Sequence, residues 1–132
     1  KIVFVATLEE GRIRATDLVT INIVCNAIKT NFEYGLIFNK VTKEVINKIN
    51  EKEQDKLYSY LALLQKKPLV TTILTKDNDI AGEDNKYFKS NNNREKLFEC
   101  INKIKAFRID DKNIQQIDIR DFQNKVDEME KK

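Results

Sequence analysis

Three residues in one short stretch carry the side chains best placed for ligand contacts. Tyr34 to Phe38 is mostly apolar and ends abruptly in Asn39-Lys40, with Thr42 opening a helical pattern. A strand, a polar dipeptide and then a helix N-terminus is the order in which an open α/β sheet keeps its ligand contacts, at the carboxyl end of a strand. Thr75-Lys76-Asp77 follows a second run rich in β-branched residues, Leu69 to Thr75, and has the same character. Either could hold a flat ligand, and either could simply be a polar strand end that turns the chain.

Other chemistries are narrowed by residue type. There is no histidine, which removes His-based catalysis and His-ligated metals. The two cysteines, Cys25 and Cys100, fall on apolar stripes of expected helices, as small buried hydrophobes do in a reducing compartment. Two separated cysteines do not make a zinc site without more ligands. Asp77, Asp79, Glu83 and Asp84 lack the spacing and closing glutamate of a calcium loop and read as a solvated turn. The net charge of +3, with no Lys/Arg cluster interleaved with aromatics, argues against nucleic acid as a partner. No apolar run is long enough to span a bilayer. A cytoplasmic protein is expected.

The elements that must position Asn39 and Lys40 follow from periodicity. Lys1 to Thr7 is apolar without alternation and predicts a strand buried on both faces. Gly11-Arg12 turns the chain toward a helix, with Thr16 as its N-cap and Asp17 as an early acidic residue, whose stripe is Leu18, Ile21, Val24, Cys25 and Ile28. Tyr34 to Asn39 is the second strand. Thr42 caps the next helix, which the polar run from Asn50 to Lys56 interrupts before Leu57 to Gln65 resumes the stripe. Pro68 stops it, and Leu69 to Thr75 is the third strand. Lys76 to Asn93 reads as a loop. Asn92-x-x-Glu95 is a capping-box pattern for a helix with stripe Leu97, Cys100, Ile101, Ile104 and Phe107.

At 132 residues one domain is expected, α/β in class. It is a partial doubly wound parallel sheet of three strands (βαβαβα), with helices on its faces and a C-terminal amphipathic helix. Residues 1–108 form the α/β part, and 109–132 are a connector and amphipathic tail. The chain begins without Met directly on an apolar run, as a piece of a longer protein would.

Asn39-Lys40 at a strand end resembles the base-reading element of GTP-binding domains, Asn-Lys-x-Asp or Thr-Lys-x-Asp, with Thr42 at the position of the carboxylate. Glu10-Gly11-Arg12 before a capped helix is similar to the Gly-Arg turn of the septin-like, immunity-associated (avirulence-induced type) P-loop GTPases. Thr72 to Asp77 sits where that family brings a second loop over the base. The resemblance spans Lys1 to about Phe107 in the order of elements. It implies the C-terminal half of a G domain, with Asn39, Lys40, Thr42, Thr75 and Lys76 as base-binding residues. Lys40 would lie its methylene stem over the base, and Asn39 would tie neighbouring loops. No Gly-x-x-x-x-Gly-Lys-Ser/Thr phosphate loop occurs in these residues. GTP or GDP with magnesium is therefore expected only in a complete domain, and hydrolysis is not expected of this stretch alone. Asn124-Lys125-Val126-Asp127 matches the motif in full but has no strand before it.

Two functions follow as expectations. One is a guanine-nucleotide-binding portion of a G domain. The alternative is a small α/β protein–protein interaction module derived from such a domain that binds no nucleotide. In either case the strand Lys1 to Thr7 should pair with another chain or self-associate, because a half sheet leaves an apolar edge open.

Overall fold

The computed structural model describes residues 1–49, 54–75, 93–117 and 119–132. Three parallel strands form the main sheet: β1 (Ile2–Ala6), β4 (Tyr34–Val41) and β5 (Val70–Thr75), in the order β1-β4-β5. The intervening β2 (Leu8–Glu9) and β3 (Arg12–Ile13) pair only with each other as a hairpin. Among the described residues there are five α-helices: α1 (Ala15–Ala27), α2 (Lys43–Lys48), α3 (Gln54–Leu61), α4 (Asn93–Lys103) and α5 (Phe122–Glu130). The α/β class and three-stranded parallel sheet expected from the sequence are what the chain adopts.

β4 is central, and both its faces are covered. Tyr34, Leu36 and Phe38 point into one apolar layer with Leu18, Ile21 and Cys25 of α1 and with Ile49, Leu57 and Leu64. Ile37 points the other way, into a layer with Cys100 and Ile104 packed by Val3, Val70, Leu74 and Leu97. Both crossover connections thus lie on one face and α4 on the other. Gly35 makes the second layer close: a Cβ there would stand 2.6 Å from Ile104 Cδ1 and 3.1 Å from Cys100 Sγ.

β1 departs from the two-sided burial expected of it. Val5 is 63% exposed: among the described residues β1 has a strand neighbour on one side only, and Val3 but not Val5 packs in the layer with Cys100 and Ile104. The hairpin is also a departure. Glu10 and Gly11 have φ of 52° and 80°, the left-handed pair that a tight two-residue hairpin turn requires. Glu-Gly lacks the Asn-Gly or Asp-Gly signature, so the sequence shows a turn there and hides the strands. Arg12 then stacks its guanidinium on Tyr60, 4.7 Å from the ring centroid, tying the hairpin to α3.

α1 is buried on more than its sheet-facing stripe. Val19 and Asn22 are buried as well, under α5, whose Val126 is itself buried. The connector holds that helix in place. Lys29 N donates to Asn113 O (2.6 Å), Gln115 N donates to Ala27 O (2.7 Å), and Ile28 bridges Ile114.

Gly35→Ala tests how tightly α4 is seated. With Ile104 only 1% exposed there is no room to yield, so the substitution is expected to destabilise the protein by about 1–3 kcal/mol, read from urea unfolding.

Candidate functional site

The carboxyl ends of β4 and β5 lie side by side, and they bring four of the five sequence-predicted residues to one edge. β4 runs two residues past Asn39, to Val41, because Asn39 and Lys40 form a bulge. Phe38 pairs with Ile73 and Val41 with Thr75, so two residues of β4 oppose Leu74 alone. Lys40 takes the strain of that insertion with φ of 56°, uncommon for a residue that has a Cβ. Its side chain is exposed and has no ion-pair or hydrogen-bond partner among the described residues. Asn39 beside it is half-buried.

Thr42 follows at once as the N-cap of α2, with extended backbone at φ −74° and ψ 156°. Its Oγ1 accepts from Val45 N at 3.3 Å, as its place before the helical stripe predicts. The hydroxyl proton and a second lone pair remain for a ligand. A carboxylate in that place would present two acceptor oxygens, which a hydroxyl does not match.

Thr75 is committed differently. Its N–H donates to Asn93 Oδ1 (3.1 Å), and Asn93 Nδ2 donates to its carbonyl (2.9 Å). One side-chain amide thus does for the last residue of β5 what a neighbouring strand would do. The Thr75 hydroxyl also points to Asn93 Oδ1, at 3.4 Å. Thr75 therefore shapes the wall of the edge more than it offers free donors. Nothing in the sequence shows Asn93 as its partner, because the two are eighteen residues apart. Lys76 and the capping residue Asn92 lie outside the described residues.

At the end of β1 the same edge carries a charged cluster that the sequence reading passed over. Asp17 Oδ2 accepts from Arg14 Nε (3.3 Å) and, more weakly, from Thr7 N (3.5 Å), while Arg14 Nη1 lies 3.9 Å from Glu9. The hydrogen bond and charge of Asp17 hold the guanidinium further above its ordinary pKa, and Glu9 adds to this. These residues adjoin a cavity of about 790 Å³ between the hairpin, the start of α1 and Glu130 at the end of α5.

The remaining candidates separate from the edge. Asn124 to Asp127 is helical within α5, with Val126 buried and Asp127 Oδ1 accepting from Gln123 Nε2 at 2.9 Å. Cys25 and Cys100 are free, buried and on opposite faces of the sheet, and burial raises the Cys25 thiol pKa against the opposing charge of Lys66. Among the described residues no three Cys, Asp or Glu side chains gather into a metal-binding group. No helix among them is long and apolar enough to cross a membrane.

The bulge is separable from any ligand by backbone chemistry. Lys40→Gly is expected to hold stability or raise it by up to about 1 kcal/mol, since glycine accepts positive φ. Lys40→Val should lower it by about 1–2 kcal/mol, because a β-branched residue tolerates that conformation worst. Urea unfolding of both variants distinguishes a strained bulge, with the two values apart, from a relaxed one, with the two equal.

Comparison of the chain with protein-family models, with curated proteins and with solved structures finds no match in any of the three.

Proposed function

We propose that this chain is the base-binding portion of a guanine-nucleotide-binding α/β domain. The observation that supports it is the bulge at the carboxyl end of the central strand, where a strained, exposed Lys40 beside Asn39 has no ion-pair or hydrogen-bond partner among the described residues. Non-glycine residues held at positive φ persist where the surroundings over-determine them, and they cluster at ligand sites. In this reading the Lys40 stem lies along one face of the base and Asn39 ties the neighbouring loops. Thr42 meets the base edge with its hydroxyl, and Thr75 walls the pocket, followed in sequence by Lys76. Phosphates and magnesium belong to a phosphate loop carried by a separate segment, so this stretch binds and orients but does not hydrolyse.

One observation favours the second reading, an interaction module without nucleotide: Thr42 Oγ1 is already engaged by Val45 N, and no carboxylate stands at that position. Calorimetric titration with GDP and with ADP, in magnesium and with the phosphate-loop segment present, decides between them. A preference for GDP that Lys40→Ala abolishes supports the first reading, and equal weak binding of the two nucleotides the second. Thr42→Asp should tighten GDP about tenfold or more and leave ADP unchanged, because a carboxylate accepts from the base N–H groups while still capping α2.

Both readings leave β1 to be covered. Its run Ile2–Ala6 has no charge or proline, the features that blunt an edge. In the first reading a strand of the phosphate-loop segment pairs there, and the chain made without that segment self-associates through it. Light scattering over a concentration series should then show oligomers that Val5→Lys shifts toward monomer. A wild-type chain that stays monomeric at high concentration excludes the open edge.

A further inference from the structure

The opposite end of the sheet holds a second site. Tyr34 opens β4 and packs with Phe4 and Phe32, the Phe4 ring edge-on at 5.3 Å. Its hydroxyl donates to the carbonyl of Lys66, and its own carbonyl accepts from Leu69 N at 2.9 Å. The Lys66 segment is thereby pinned to the amino end of the central strand. The Lys66 ammonium lies 4.1 Å from the centroid of Phe32, whose ring is also stacked with Phe107 at 5.3 Å and 28°. Phe32 is buried, so this aromatic pair is a fixed floor.

Beside that floor is a cavity of about 400 Å³, lined by Asn31, Phe32, Glu33, Lys66, Lys105 and Phe107. That volume lies within the range of small-molecule sites. Its charge is unbalanced, with two ammonium groups against one carboxylate. Neither lysine has an ion-pair or hydrogen-bond acceptor among the described residues, and Glu33 forms no ion pair with either. Lys66 is only half exposed, and the ring face it rests on satisfies its charge but accepts none of its three N–H donors in the ordinary way. A half-exposed ammonium with no acceptor among the described residues, on the lining of a cavity that a second lysine also lines, suits an oxyanion.

We infer that this cavity binds a phosphate group, as inorganic phosphate or the phosphate of a small phosphomonoester. A phosphate dianion matches two point charges better than a carboxylate does, and its oxygens offer acceptors for the donors of Lys66, Lys105 and Asn31, all on the cavity lining. The site stands apart from Asn39 and Lys40. The five residues of β4 from Tyr34 to Phe38 lie between Glu33 and Asn39, about 20 Å at the rise of a strand. It therefore holds whether or not a nucleotide binds at the carboxyl edge.

The test is a titration of the chain with inorganic phosphate at constant ionic strength, chloride replacing phosphate in the control. Backbone amides of Asn31 and Lys105 and ring protons of Phe32 and Phe107 are followed by NMR. Saturable shifts confined to this end of the sheet are expected. Lys105→Gln, which changes an exposed side chain, should weaken the apparent affinity about tenfold, and Lys66→Gln at least as much. Lys40→Gln should leave it unchanged. The inference is overturned by the absence of saturable shifts at these residues. It is equally overturned by shifts that survive Lys105→Gln at full affinity, or by shifts that Lys40→Gln removes.

Discussion

The backbone of β4 runs between two apolar layers, and the five residues from Tyr34 to Phe38 are all buried. A strand in that position cannot leave N–H or C=O groups unpaired, so it must have a hydrogen-bonded neighbour on each side. β1 and β5 supply them, in parallel, and parallel pairing in turn demands crossover connections long enough to hold helices. α1 and the α2–α3 pair are those connections. Their placement on one face leaves the other for α4, and the missing Cβ of Gly35 lets Ile104 and Cys100 come down onto the sheet. The rest of the chain is fitted around this one constraint.

The constraint also creates the polar edge at the carboxyl end of the strand. While both faces of β4 are buried its side chains serve packing, and they become free only where the strand passes beyond the helices. That happens at Asn39 and Lys40. The extra residue between Phe38 and Val41 breaks the two-residue alternation and turns Lys40 out of the layer system. Thr42 then starts α2. Polar side chains gather here because it is the first place along the strand where the core makes no claim on them.

Much of this is legible in the sequence. Tyr34 to Asn39 states a strand, β-branched Leu69 to Thr75 states another, and Thr42 before a helical stripe states a cap. What was hidden involves partners far apart in sequence or turn residues with weak signatures. Glu10 and Gly11 form a hairpin turn without the usual asparagine or aspartate. Asn22 reads as a polar interruption in α1. In the fold its Oδ1 accepts from Gln65 N at 2.9 Å, and its Nδ2 donates to Leu63 O at 3.5 Å, which fastens the loop before β5. The stripe of α1 shows its sheet side and says nothing of α5, because that second contact arrives from the other end of the chain. The bulge was legible only as a polar dipeptide, since register shifts belong to a pair of strands and not to one.

The amide of Asn93 joins two points of the backbone that are eighteen residues apart, gripping Thr75 by both its N–H and its carbonyl. It fixes the distance between the end of β5 and the start of α4 without reference to the chain that connects them. Loop closure grows only logarithmically more costly with length, about 0.6 kcal/mol per doubling. The connection between Thr75 and Asn93 is thus a place where the protein can lengthen, shorten or change its surface while sheet and helix keep their relation. The seating of α4 on the sheet is in this way independent of how many residues the chain spends between them.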